Sequence, residues 1–137
     1  MAIVVIDDSP ATLALLTRLV SGCEDVVAFT DALAARDYLA RHAARAIVVD
    51  YSMPGMTGTA LVRVLRADAL HAETPIVMVT AAYGPEIRAQ AHAAGVTYLL
   101  SKPFSPAVLN SLLRKVLGGC AEPEEVFEEG AASASRD

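Results

Sequence analysis

The sequence predicts an α/β fold in which one parallel sheet is covered by helices on both faces. Two observations support this prediction. Five short apolar runs, rich in β-branched residues, have the pattern of strands buried on both faces of a sheet. Each run is followed by a stretch with helical character. A strand–helix unit repeated five times requires parallel strands joined by right-handed crossovers.

The first strand and helix have clear boundaries. The strand is the run 2–6, and Ser9 followed by Pro10 predicts the start of the helix. A serine hydroxyl can cap free main-chain N–H groups, and proline has no N–H to leave unpaired in the first turn. Apolar residues recur at helical spacing up to Gly22, where the helix is expected to stop.

The apolar signals that predict the next two strands differ in strength. A weak strand is expected at 26–29, followed by a helix capped by Thr30 or Asp31. The third strand, 46–49, is strongly apolar and leads directly to Asp50, after which the chain turns at proline and glycine. This strand therefore presents an acid at its carboxyl end, where ligands bind in open α/β sheets.

The remaining elements continue the alternation. We expect a helix at 58–67, a strand at 76–79, a helix at 86–94, a strand at 96–100, and a last helix from 105 or 106 to 117. The helix at 86–94 has four alanines among its nine residues and a single large apolar residue, Ile87. It is therefore expected to be the most weakly anchored helix of the set.

Composition and charge limit the classes of function. With 54% apolar residues, the chain can form one domain with a full core, which we expect at 1–118. Residues 119–137 are predicted to form a flexible acidic tail or the start of a linker. This tail has six acids and one arginine, so the net charge of −5 belongs to it. The domain itself has no basic excess, which argues against direct binding of nucleic acid.

The sequence also predicts the location of the protein. No charged leader or long apolar segment is present, so we expect a cytoplasmic protein that does not enter a membrane. The histidines, His42, His71 and His92, lie in polar or alanine-rich stretches, and surface positions are expected for all three.

Four strands end in polar residues that the local structure does not require. These residues are Asp7, Asp8, Asp50, Thr80 and Lys102. Taken alone, each has an ordinary explanation as a solvated turn, a capping group or a lysine that extends to solvent. Because the carboxyl ends of parallel strands meet at one edge of a sheet, all five are expected in one crevice. Their convergence favours a functional site.

The residue types in this crevice suggest phosphoryl chemistry. Three close carboxylates repel one another unless a cation is present, and oxygen ligands without histidine or cysteine favour Mg²⁺ or Mn²⁺ over zinc. With the metal bound, Asp50 can attack an electrophilic phosphorus. Lys102 can neutralise phosphoryl oxygens, and the hydroxyl of Thr80 can donate a hydrogen bond to another.

Over residues 2 to about 117, the chain resembles the receiver domains of two-component response regulators. The matching motifs are Asp7-Asp8, Asp50 with Met53-Pro54-Gly55-Met56-Thr57-Gly58, Thr80-Ala81, Ala94-Gly95 and Lys102-Pro103-Phe104. The resemblance implies a flavodoxin-like (βα)5 sandwich with strand order 2-1-3-4-5. It also implies a signalling domain that catalyses only its own phosphorylation and dephosphorylation.

The resemblance assigns roles to the site residues. Asp50 is expected to accept a phosphoryl group from a phosphohistidine on a sensor histidine kinase or a histidine phosphotransfer protein. Mg²⁺ is expected on Asp7, Asp8 and Asp50, with the main-chain carbonyl of Ser52 as a further ligand. The Lys102-Pro103 peptide bond is expected to be cis.

One position departs from the family pattern. The family usually has an aromatic residue three positions before the lysine, where this chain has Leu99, and the aromatic residue here is Tyr98. Adjacent strand residues face opposite ways, so Tyr98 cannot simply replace it. We therefore expect the switch to depend on Thr80, Ala81 and the loop that ends at Gly84, together with the weakly packed helix after it.

Three other classes of protein agree less well with the sequence. A magnesium-dependent phosphatase with an aspartyl nucleophile usually has a second acid two residues later, where this chain has Ser52. A flavin-binding protein of the same fold would need a phosphate-cradling loop after the first strand. An inert receiver would lack part of the site. The output is left open: either a downstream effector protein or a covalently linked output domain, in which case the chain is the input domain of a longer regulator. A homodimer is compatible with the sequence.

Overall fold

One five-stranded sheet organises the chain in the computed structural model, which describes residues 1–20, 25–81 and 84–117. The strands are β1 (Ala2–Ile6), β2 (Val26–Phe29), β3 (Ala44–Asp50), β4 (Ile76–Thr80) and β5 (Tyr98–Ser101). The helices of the described part are α1 (Pro10–Val20), α2 (Ala32–Leu39), α3 (Gly58–Arg66), α4 (Pro85–Ala94) and α5 (Pro106–Leu117). All neighbouring strands are parallel, and their order, β2-β1-β3-β4-β5, confirms the predicted flavodoxin-like topology.

The core lies on both faces of the sheet. Val4 and Ile6 of β1 belong to a buried cluster with α2, α3 and α4. Ile3 and Val5 point the other way and pack with α1 and α5. Alternate residues of one strand thus serve two layers of helices, which explains why the strand is a continuous apolar run.

The predicted strand at 96–100 is shifted in the structure. Gly95 ends α4 with a left-handed φ of +103°, and the N–H of Val96 still donates to the Ala91 carbonyl of that helix. The N–H of Thr97 then donates to the Ile76 carbonyl, and the ladder of β5 begins at Tyr98. Val96, which the sequence predicts as the first residue of the strand, therefore takes part in the closure of the helix.

The expectation that all three histidines lie at the surface was wrong for His71. Its side chain is fully buried, and Nε2 donates to the Leu39 carbonyl at 2.7 Å, at the end of α2. The polar connection after α3 forms a short 3-10 turn, Ala69–His71, that inserts the imidazole beneath α2. His42 and His92 are exposed, as expected.

Two other expectations fall outside the described residues. The acidic tail at 119–137 lies beyond Leu117, and the loop that ends at Gly84 is described only in part. Within the described residues, no helix has the length and apolar character needed to cross a membrane.

Candidate functional site

The sheet brings the polar strand ends together. Ile6 of β1 pairs with Val49 of β3, and Asp50 pairs with Val79 of β4. One position further along β4, Thr80 pairs with Ser101 of β5. The residues that follow these pairs therefore leave the sheet at one edge.

Three carboxylates form a cluster at this edge. Oxygen atoms of Asp7, Asp8 and Asp50 all lie within 4.8 Å of one another. Asp7 is fully buried and Asp50 is 5% exposed, whereas Asp8 is exposed. The main-chain N–H of Ser9 donates to Asp7 Oδ1 at 2.9 Å and fixes the orientation of that carboxylate. The cluster is thus rigid at its base and open to solvent on one side.

Lys102 joins the cluster from the end of β5. Its Nζ lies 3.3 Å from Asp7 Oδ2 and 3.3 Å from Asp50 Oδ1. Burial opposes the charged ammonium, but Asp50 and Asp7 outweigh this effect and raise the pKa of Lys102. The main-chain N–H of Lys102 donates to the Thr80 carbonyl at 2.8 Å, and the Lys102-Pro103 peptide bond is cis.

The carboxylate of Asp50 is held in an unfavourable environment. Burial, and then the negative charge of Asp7, raise its pKa, although Lys102 acts in the opposite direction. One ammonium therefore does not balance the acids around it. Oxygen-only donors with excess negative charge fit a hard divalent cation such as Mg²⁺ or Mn²⁺.

The loop from Tyr51 to Gly58 is held by hydrogen bonds at both of its ends. The N–H of Tyr51 donates to the Val79 carbonyl at 2.9 Å, and the Tyr51 carbonyl accepts from Gly58 at 2.7 Å. Thr57 caps α3, with Oγ1 accepting from the N–H of Ala60 at 3.2 Å. Ser52 lies exposed in this short loop.

The residues predicted to act as a switch occupy different environments. Thr80 is buried at the sheet edge, and Ala81 is exposed. Leu99 packs on the side of α2, α3 and α4, whereas Tyr98 packs on the opposite side, where Lys115 Nζ lies 5.4 Å from the ring centroid. Tyr98 thus faces away from the position that the family's aromatic residue would occupy.

Sequence reasoning missed a link between the site and α4. The hydroxyl of Tyr51, next to Asp50, donates to Gln90 Oε1 on α4 at 3.1 Å. The two residues are 39 positions apart, and no motif connects them. An aromatic residue directly after a candidate nucleophile was the only available signal.

We expect Asp50→Asn to raise the free energy of unfolding in magnesium-free buffer at pH 7, by on the order of 1 kcal/mol. Because the pKa of Asp50 is raised in the folded state, the stability that this group contributes is complete below its ordinary pKa of 3.8. It is lost as the pH rises through the folded-state pKa. The gain from the substitution should therefore shrink as the pH falls towards that ordinary value.

Urea denaturation with EDTA at neutral and acidic pH measures this effect. Asp37→Asn is the matched control, since Asp37 is exposed on α2 and its substitution should change stability by less than about 0.5 kcal/mol. A variant at position 50 that is less stable than the parent chain at pH 7 would contradict the prediction.

Comparisons with known proteins agree with this geometry. A family model for the response regulator receiver domain matches residues 3–114. The chemotaxis protein CheY1 of Helicobacter pylori is 35% identical over 121 residues, covering 86% of this chain and 98% of that protein. The solved structure of CheY4 from Vibrio cholerae has a TM-score of 0.80 at 30% identity, covering 85% of this chain and 99% of that one.

A second solved structure comes from a sensor histidine kinase. The receiver domain of PA1611 from Pseudomonas aeruginosa has a TM-score of 0.78 at 25% identity, covers 86% of this chain and 98% of its own, and holds a magnesium ion in its active-site cleft. Family model, relatives and fold all agree. The chain therefore belongs to the response regulator receiver domain family, the phosphoacceptor signalling domains of two-component systems.

Proposed function

We propose that Asp50 is the phosphoacceptor and that its donor is a phosphohistidine on a sensor histidine kinase or a histidine phosphotransfer protein. The observation that carries this proposal is the placement of Asp50 Oδ1 3.3 Å from Lys102 Nζ within the acidic cluster. A carboxylate oxygen of Asp50 forms a bond to phosphorus as the N–P bond of the donor breaks. The imidazole nitrogen of the donor then takes up a proton.

The other site residues stabilise the charge of the transferred group. The ammonium of Lys102 moves from the carboxylates to a phosphoryl oxygen, and the Thr80 hydroxyl donates a hydrogen bond to another. Mg²⁺, or Mn²⁺ in its place, would be held by Asp7, Asp8, Asp50 and the main-chain carbonyl of Ser52. The ion supplies positive charge beside the phosphoryl oxygens. The magnesium ion in the PA1611 receiver domain supports this proposal.

The test is intact mass after incubation with Mg²⁺ and acetyl phosphate. We expect one phosphoryl adduct that hydroxylamine removes, because an acyl phosphate reacts with this nucleophile. Asp50→Asn should give no adduct. An adduct of equal yield in that variant would place the acceptor elsewhere, and no adduct in either chain would reject phosphorylation.

The chain is a signalling domain and not a classical enzyme. We propose that its catalysis is limited to its own phosphorylation and dephosphorylation. Exposed Ser52 stands where an aspartyl phosphatase has a second acid, so no group at that position protonates the leaving group of an external substrate.

A shallow apolar groove beside the site suits the donor protein. The groove has a volume of about 430 Å³ and lies between α1 and the chain after β5, and its lining includes Leu15, Lys102, Pro103 and Phe104. Leu15 is 40% exposed. A helix that brings a phosphohistidine to Asp50 would cover this groove, because the groove adjoins the open side of the cluster.

We expect Leu15→Ser to slow phosphotransfer from a histidine kinase about tenfold, because the docked helix loses an apolar contact at the centre of its surface. A panel of phosphorylated kinases identifies the one that transfers fastest to the parent chain, and that kinase is used. Phosphorylation by acetyl phosphate should not change, since the small donor does not need the groove. Leu33→Ser on α2 is the matched control, since Leu33 is 43% exposed and does not line the groove. Equal slowing by both substitutions would reject the groove.

The output follows from the proposed phosphorylation. We propose that the phosphoryl group shifts Thr80, Ala81 and α4, and that a downstream effector protein or a covalently linked output domain binds the shifted surface. In this proposal the receiver domain spans 1–118 and acts in the cytoplasm. A loop and helix that are unchanged between the unmodified and the phosphorylated chain would contradict it.

A further inference from the structure

A second groove lies between α4 and β5. Its volume is about 480 Å³, and Ala89, Val96 and Leu99 give it an apolar floor. Arg88 and His92 of α4 also line it, both are exposed, and no acid lies among its lining residues in the described part of the chain. Alanines of α4 and Leu99 of β5 are among the side chains that line it. Its surface is thus divided about evenly between apolar and polar atoms, with the basic side chains along one side.

The chain contains a segment of complementary chemistry. Residues 124–129 read Glu-Glu-Val-Phe-Glu-Glu, which places Val126 and Phe127 between two pairs of acids. Phe127 is the only aromatic residue after Phe104. An aromatic side chain flanked by glutamates matches an apolar pocket flanked by basic groups.

The segment can reach the groove of its own molecule. Arg45 Nη2 donates to the Leu117 carbonyl at 3.1 Å, which places the end of α5 near the start of β3. The lower part of the groove, at Val96 and Thr97, lies at the start of β5, on the same edge of the sheet. Only β4 separates these strands, a distance of about 10 Å between strand axes. The connection must also pass around the strand ends from the face covered by α5 to the face covered by α4, which adds about another 10 Å. Seven residues, 118–124, can span about 24 Å.

We propose that residues 124–129 dock in the α4–β5 groove of the same molecule. Phe127 inserts beside Leu99, and the glutamates on either side of it lie against Arg88 and His92. The short connection holds the segment at a high effective concentration, so weak contacts are sufficient for occupancy. Docking does not require phosphorylation of Asp50, and the segment competes with any protein that binds this face.

Amide resonances of the ¹⁵N-labelled full chain test the docking. Phe127→Ser should shift the resonances of Ala89, His92 and Leu99, because the aromatic ring leaves the groove. Ala132→Ser, in the tail but outside the segment, should leave them unchanged. Identical groove resonances in the parent chain and in Phe127→Ser would overturn the proposal. Shifts that grow with protein concentration would also overturn it, since they would assign the segment to a second copy.

A charge exchange tests the pairing. Arg88→Glu should release the segment and move the His92 and Leu99 resonances in the same direction as the serine substitution at Phe127, because acids would then face acids. Arg88 is exposed on α4, so the variant should keep its fold. Adding Glu128→Arg and Glu129→Arg to this variant should restore the parental resonances, because the segment enters beside Val96 and its later pair of glutamates reaches Arg88 near the start of α4. Failure of this restoration would reject the ion pairing on which the proposal depends.

Discussion

Gly58→Ala is expected to lower the free energy of unfolding by about 3 kcal/mol. A Cβ atom at this position would overlap the main-chain carbonyl oxygen of Asp50 and would lie 3.0 Å from Met78 Cε and from Tyr51 Cα. Two of these three atoms belong to the backbone of β3 and its continuation, so no side-chain rotation relieves the clash. Helix α3 must move away from β3.

Urea denaturation compares this variant with a matched substitution at a second glycine. Gly84→Ala is the control, because a Cβ there meets nothing within 4 Å and its φ of −174° is open to any residue. Gly84 is the N-cap of α4, so its substitution should cost less than about 1 kcal/mol. If the two alanine variants were equally stable, the contact at Gly58 would not limit the approach of α3 to β3. The same displacement moves Asp50, so the rate of adduct formation should fall as well.

Arg66→Met is expected to cost about 3 kcal/mol in the free energy of unfolding. At the end of α3, the guanidinium donates to the carbonyls of Thr74 at 2.7 Å, His71 at 2.8 Å and Gly95 at 3.0 Å. Burial lowers the pKa of Arg66, although nearby Glu73 acts in the opposite direction. Methionine fills a similar volume but leaves these carbonyls without their donor.

Two further variants separate charge from geometry. Arg66→Lys keeps a positive charge but lacks the planar fork that reaches several acceptors at once, so it should recover only part of the loss. Arg63→Met is the control on the same helix, where the arginine is exposed, and should change the free energy of unfolding by less than about 0.5 kcal/mol. Equal effects of the methionine substitutions at Arg63 and Arg66 would contradict the proposed role of these hydrogen bonds.

The sheet and the strand-end cluster could be predicted because their signals are local. A run such as Val4 to Ile6 is apolar at every position, and glycine or proline marks most of the turns. Once the strands are parallel, their carboxyl ends must meet, so Asp50 and Lys102 come together although 52 positions separate them. Once the strand topology is known, the positions of these residues in the sequence are sufficient to predict this site.

Contacts between a side chain and a distant carbonyl could not be predicted in this way. The burial of His71 depends on the Leu39 carbonyl at the end of α2, and the network of Arg66 depends on where α4 closes at Gly95. Each of these residues resembles a surface residue in its local sequence. Main-chain carbonyls are present at every position and leave no pattern in the sequence, so only the folded chain shows which of them are available.

The hydrogen bond between Tyr51 and Gln90 has a consequence for how firmly α4 is held. A bond of this kind contributes about 1 kcal/mol net, because water can replace either partner. Such a contribution favours the arrangement of α4 that keeps the bond over one that lacks it by odds of roughly five to one. The observed position of α4 is therefore favoured only moderately over one that lacks the bond. A modest change in free energy at the neighbouring carboxylate is enough to reverse those odds without unfolding any part of the chain.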